Sequence, residues 1–160
     1  MKTIEFRVYG EQKPQGSKIA QAIYRKGKDG KPTPVMKNGR VVTVARNDNP
    51  DVVSWRNAIA SAAREVYSGP LLTCAIRLEI AFVRPRPKGH FGTGRNAEMV
   101  KASAPLHPTT KPDNTKLRRA VEDALTGVLY RDDSQIVEGI DLKTYGECFE
   151  TTVRVTSLTP

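Results

Sequence analysis

Apolar and polar residues alternate through Thr3–Gly10, with Ile4, Phe6 and Val8 on one side and Glu5 and Arg7 on the other. Successive side chains of a strand point to opposite faces, so this spacing predicts a half-buried strand. A loop is expected over Gln12–Lys18, which holds Pro14 and Gly16. Residues 25–40 are rich in Lys, Gly and Pro, and Asn38-Gly39 stands between Val35-Met36 and Val41–Val44. Asn-Gly suits a type I′ turn, whose two central residues need positive φ, and a basic hairpin follows as the expectation.

The period then changes. Over Asp48–Tyr67, Trp55, Ile59, Ala62, Ala63 and Val66 recur at helical spacing. Asn49 or Asp51 is expected to cap this helix, with Pro50 near its first turn and Gly69-Pro70 ending it. Leu72–Val83 returns to a period of two, with Ile76, Leu78, Ile80 and Phe82 on one face. Residues 84–112 read as a long excursion containing Arg-Pro-Arg-Pro-Lys at 84–88 and Pro105, Pro108 and Pro112. The Gly-rich piece at 89–94 lacks the Gly-Lys-Ser/Thr ending of a phosphate-binding loop and is read as a flexible loop. A second helix is expected over Thr115–Leu129, its stripe formed by Leu117, Val121, Ala124, Leu125 and Val128. Gln135–Lys143 and Phe149–Thr156 read as strands joined through Tyr145-Gly146-Glu147. The order predicts a mixed α/β or α+β fold, with a small mixed β-sheet packed against two main helices. Residues 1–160 are expected to form a single domain, with 25–40 and 84–112 as its mobile parts.

Composition narrows the class of partner. The chain of 160 residues is 38% hydrophobic, with a formal charge of +9, which suits one soluble core. No apolar run is long enough for a transmembrane helix. The opening MKTIEFRVYG lacks the apolar run of a signal peptide, so a cytoplasmic location is the expectation. Cys74 and Cys148 form no disulfide framework, and neither they nor His90 and His107 have zinc-ligand spacing. Residues 1–46 carry 11 Lys/Arg against 3 Asp/Glu, and residues 84–119 carry 9 against 2. Residues 120–160 reverse this, with 3 against 8. Basic stretches beside clustered acids point to a polyanion and a bound cation, while charge alone does not separate DNA from RNA or an anionic membrane.

Three acids stand out: Asp113 ahead of the second helix, and Asp132-Asp133 after it. Read one at a time, they suit a helix N-terminus and a turn. A return of the chain through Tyr130 into the strand at Gln135 would bring Asp133 beside Asp113. Converging carboxylates amid basic residues hold a hard divalent cation. Trp55, on the apolar stripe of the first helix, is read as core.

The segment Lys111–Ile136, KPDNTKLRRAVEDALTGVLYRDDSQI, resembles the active-site region of the RusA family of Holliday junction resolvases. Lys111-Pro112-Asp113 matches the family's opening, Leu117 its Leu and Arg119 its basic position. Asp123-Ala124-Leu125 matches the middle, and Asp132-Asp133-Ser134-Gln135 the end. The resemblance implies a RusA-like fold and a magnesium-dependent endodeoxyribonuclease, with Mn2+ as a substitute ion. Its substrate would be the four-way DNA junction of recombination and repair, cut by paired nicks. It implies a homodimer in the cytoplasm of bacteria, encoded by host, phage or prophage. Asp113 and Asp133 are the implied metal ligands, with Asp132 and Thr115 as further candidates. Asp113, Asp133, Asp132 and Arg119 form the implied catalytic set. Lys116, Arg118, Lys143, Arg84, Arg86 and Lys88 are candidates for DNA backbone contacts. Asp123 reads as a structural partner for Arg119. One position departs from the pattern: Thr115 stands where the family carries a second acid. That departure keeps open an alternative, a branched-DNA-binding protein with weak or no activity.

Overall fold

The computed structural model describes residues 1–16, 19–27, 29–46 and 50–158. The elements in chain order are β1 (Thr3–Tyr9), β2 (Ile19–Ala22), β3 (Tyr24–Lys26), β4 (Pro32–Pro34), β5 (Met36–Lys37), β6 (Arg40–Val41), β7 (Thr43–Arg46), α1 (Pro50–Val66), β8 (Ile76–Pro85), α2 (Asn114–Leu125), β9 (Ile136–Gly146) and β10 (Glu150–Ser157). They fall into two compact units, Met1–Gln15 with Asp51–Pro160, and Gly16–Pro50.

The larger unit is built on a four-stranded mixed sheet in the order β1-β10-β8-β9. β10 runs antiparallel to both β1 and β8, whereas β8 and β9 are parallel. A parallel pair needs a crossover connection, and α2 lies within this one. β9 and β10 are consecutive in the chain, yet β8 lies between them. The alternation in the sequence decides which face is buried. Ile4, Phe6 and Val8 of β1, Ile76, Leu78, Ile80 and Phe82 of β8, and Val153 and Val155 of β10 join one core. Val52, Trp55, Ile59 and Ala63 of α1 pack into it, as do Leu117, Ala120, Val121 and Leu125 of α2. The expected α+β sheet with two main helices is therefore what forms. Trp55 is core, tilted against Phe82 with ring centroids 6.4 Å apart. On the opposite face Arg77 pairs with Glu138, and Arg154 with Glu5 and Glu79.

Several boundaries move. α2 ends at Leu125 rather than at residue 129, because Thr126 is extended and Gly127 takes φ 74°. Val128 and Leu129 prolong the apolar pattern without prolonging the helix, and Leu129 is fully buried in the turn that follows. β8 begins at Ile76 rather than at residue 72, and extends to Pro85. The proposed cap Asn49 lies outside the described residues. Residues 86–112 hold two single-turn 3-10 segments, Lys88–His90 and Gly94–Asn96, and a bridge between Phe91 and Val100. Both cysteines are free.

In the smaller unit β2 pairs with β7, β3 with β4 and β5 with β6, all antiparallel. Asn38 and Gly39 close the β5–β6 hairpin at φ 51° and 74°, as the Asn-Gly signal requires. The paired region is wider than the single hairpin expected from the sequence.

Candidate active site

Asp113 is the N-cap of α2. Its backbone is extended, and its carbonyl accepts from the Lys116 and Leu117 amides, each at 3.1 Å. Its carboxylate makes no capping bond, so a charge favoured by the helix dipole stays free for other work. Lys116 stands 3.6 Å away, with both side chains more than half exposed. The carboxylate borders an open cleft of about 390 Å³, lined by Glu11, Lys13, Arg84, Lys111, Asp113 and Lys116 among others.

Distant parts of the chain build this cleft. The buried Gln12 donates from Nε2 to the carbonyls of Val83 and Glu150, both at 2.9 Å, fixing residues 11–14 to the ends of β8 and β10. Arg84 donates to the Lys111 carbonyl at 2.7 Å. Lys143, on the helix-facing side of β9, donates to the carbonyls of Thr110 and Pro112 at 2.9 and 3.0 Å. Burial pulls its ammonium below the ordinary lysine value; the charge of Arg84 adds to this and that of Asp113 opposes it. Sequence reasoning singled out neither Glu11, Gln12 nor Lys13, because nothing local marks a short loop as part of a cleft assembled 70 to 100 residues later.

The second acid pair sits elsewhere. Asp132 caps the 3-10 turn Asp133–Gln135, its Oδ1 accepting from the Ser134 amide at 2.9 Å, and these bonds lower its pKa. Gln135 completes a reciprocal box. Its Oε1 accepts from the amides of Arg131 and Asp132, and its Nε2 donates to the carbonyls of Leu72 and Cys74, both at 2.9 Å. The Tyr130 hydroxyl reaches the Glu122 carbonyl at 3.3 Å, and burial pushes its pKa up, with the charges of Glu122 and Asp133 adding to the effect. These bonds anchor Asp133 at the C-terminal end of α2 and the N-terminal end of β9. β9 then runs back along α2, so Lys143, rather than Asp133, arrives beside Asp113. The twelve residues of α2 span about 18 Å at the α-helical rise. The chain return through Tyr130 thus leaves the two acids at opposite ends of the helix. Among the described residues no three His, Cys, Asp or Glu side chains gather as a metal site.

The exposed faces of α2 divide the remaining candidates. Arg119 and Thr115 are exposed, and Arg119 has no ion pair among the described residues. Arg118 turns inward, to Glu122 at 2.6 Å and Asp141 at 3.3 Å, which corrects its assignment to a phosphate. Asp123 pairs with Arg56 of α1 at 3.6 Å, not with Arg119. Arg86 donates to the Pro105 carbonyl at 2.8 Å and lies over the Tyr145 ring at 4.4 Å, so it fastens the long loop. Lys88 remains exposed. Arg84 borders the cleft while also holding Lys111.

An acid at a helix N-terminus inside a basic cleft, on an α+β scaffold, suits a protein that handles phosphodiesters, and comparison with known proteins gives the class: the chain belongs to a family of endodeoxyribonucleases. That family is RusA, described as Endodeoxyribonuclease RusA, and residues 29–156 match it. A relative in Bacillus subtilis (strain 168), "Uncharacterized protein YqaN", is 29% identical over 147 residues, 92% of this chain and 91% of its own. Among the described residues no helix is long and apolar enough to cross a membrane.

Proposed function

We propose that this protein is a Holliday junction resolvase, a divalent-metal-dependent endonuclease that places paired nicks in four-way DNA junctions. The observation that carries the reading is the Asp113 carboxylate, which makes no capping bond and borders a basic cleft, within the segment that bears the RusA pattern. The match over residues 29–156 draws on both compact units, which supports reading residues 1–160 as one RusA-like nuclease domain.

Asp113 and Asp133 lie at opposite ends of α2 within one chain, so they are the residues to hold the cation, magnesium or manganese, across the two copies of the homodimer that the RusA resemblance implies, with the Thr115 hydroxyl as a neutral oxygen near Asp113. Such a cation supplies an activated water and neutralises charge on the phosphate. Lys116, Lys111 and Arg84 line the approach to Asp113 and hold the DNA backbone without reading sequence. Lys143 keeps the Thr110–Pro112 segment, and with it Asp113, in place. Arg119, on the exposed face of α2 and without an ion pair among the described residues, clamps a phosphate oxygen in the transition state. Asp132 acts through the turn it caps, presenting Asp133. A cytoplasmic site of action and a host, phage or prophage gene fit a bacterial recombination enzyme.

The test uses a synthetic four-way junction. Asp133→Asn and Asp113→Asn are each expected to abolish cutting and to retain junction binding in a gel-shift assay. Cutting by either variant at the wild-type rate contradicts these roles. A second reading rests on Thr115: with a hydroxyl in place of a carboxylate, the protein binds branched DNA and cuts it poorly.

A further inference from the structure

Residues 16–50 carry 8 Lys/Arg against 2 Asp/Glu, a net +6 of the chain's +9, and they form the smaller compact unit by themselves. We propose that this unit is a two-pronged β-arm that grips double-stranded DNA through its phosphates. The inference deepens the nuclease reading, which supplies DNA as the polymer; the arm itself is argued from its own geometry and charge.

Three observations carry it. First, the backbone builds a fork. The Ile23 amide donates to the Val42 carbonyl at 2.9 Å, the Val35 amide to the Ile23 carbonyl at 2.7 Å, and the Val42 amide to the Val35 carbonyl at 2.8 Å. This closed ring of bonds joins the β2–β7 ladder to two short hairpins, β3–β4 and β5–β6. The first hairpin is closed by the Gly27 amide on the Lys31 carbonyl at 2.8 Å, the second by Asn38 and Gly39 at positive φ. Each prong is a two-stranded ribbon with its strands about 5 Å apart, and the major groove of B-DNA, about 12 Å wide, admits such a ribbon.

Second, both prongs are basic and open. Arg25, Lys26 and Lys31 stand on one, Lys37 and Arg40 on the other; all five are exposed and none makes an ion pair among the described residues. The acid of the first turn is occupied otherwise, since the Asp29 carboxylate accepts from the Lys31 amide at 3.2 Å. Lys37 and Arg40 lie directly opposite each other across their ribbon. Like charges in that position repel, a cost that a polyanion laid against them relieves. Third, the fork has no core of its own. Among the described residues from 22 to 44 none is buried, and Tyr24, Met36 and Val41 are 59%, 55% and 44% exposed. Its shape is held by backbone bonds and its side chains are left for a partner. That partner is duplex DNA. Tyr24 is the one aromatic residue among the described residues of the prongs, too few for the stacking platform that single strands use. The major groove of A-form RNA is too narrow for a ribbon, and the fork has no amphipathic helix to lie on a membrane. Lysine and arginine contacts of this kind hold the backbone without reading sequence.

The test is a binding titration of the full chain in EDTA, where nothing is cut. The probes are a linear DNA duplex, an RNA duplex of the same length, and phosphatidylserine–phosphatidylcholine vesicles. The variant replaces Arg25, Lys26, Lys31, Lys37 and Arg40 together with Gln, and its fold is checked by circular dichroism. Its affinity for the DNA duplex is expected to fall about tenfold or more, with the slope of log affinity against log salt shallower by about 3–4. Wild-type affinity and slope in the folded variant overturn the proposal, as does tighter wild-type binding to the RNA or the vesicles than to DNA. Photo-crosslinking separates contact from an effect of net charge and does not depend on the variant's folding. With p-benzoylphenylalanine in place of Tyr24 in the otherwise wild-type chain, a crosslink to the DNA duplex is expected, and its absence at saturating DNA overturns the arm. Weakened binding by the variant together with the crosslink supports the arm even if the wild type cuts no junction, a result that removes the resolvase reading alone.

Discussion

Arg118 shows how one side chain organises the helix–sheet seam. It bonds Glu122 one turn along α2 and Asp141 on β9, and its guanidinium lies where a Cβ at residue 139 would stand. Gly139 is therefore a packing requirement. Gly139→Ala is expected to displace the guanidinium and cost about 1–2 kcal/mol in urea denaturation, less than a fully buried pair because solvent still reaches these groups. A loss near zero would show that Arg118 finds another seat. Thr115 sets a second expectation: Thr115→Asp restores a carboxylate at an exposed position in the first turn of α2, and tighter Mn2+ binding with faster junction cutting is expected. Asp113, Asp133 and Gln135 stand out in the sequence because the pattern that carries them is confined to Lys111–Ile136. The partners of Asp123 and Arg118 do not. Asp123 finds Arg56, 67 residues away, and Asp141 reaches Arg118 only once β9 lies on α2.

At the scale of elements, the turn from Arg131 to Gln135 is held by a set of side-chain hydrogen bonds to backbone groups. Gln135 uses its amide four times, twice to shape the turn and twice to hold it to Leu72 and Cys74. Gln135→Leu leaves those backbone groups without their partner, and a loss of about 2–3 kcal/mol is expected in thermal or urea unfolding. Asp132 links the same turn to pH. Its folded pKa lies below the ordinary carboxylate value, so its contribution is present above that range and is lost as pH falls through the lowered value. Asp132→Asn is expected to flatten this acid limb; an unchanged acid limb would contradict the capping role. Periodicity located both helices and the main strands, since a buried stripe needs a fixed spacing. It misjudged ends where packing and helix continuation part company. Val128 and Leu129 keep the apolar stripe of α2, but Gly127 in the left-handed region turns the chain, and Leu129 reaches the core from a turn.

At the scale of the whole molecule, the formal charge of +9 belongs with a polyanionic partner held through its backbone. Junction affinity is expected to fall steeply and log-linearly with salt, as counterion release requires; a flat salt response in titrations would exclude that mode. Strand order was the least legible level. β10 sits between β1 and β8 because the three share one buried face, while the parallel β8–β9 pair depends on a crossover of some fifty residues. No local pattern encodes that choice, and with it goes the separation of Asp113 from Asp133. Resolvase action is tested most directly by incubating the purified wild-type protein with a four-way junction and with a linear duplex of the same arms, with and without magnesium. It predicts paired nicks in opposed strands of the junction, dependent on the metal, and an intact duplex. Tight binding of the junction with no cleavage under magnesium or manganese would contradict it.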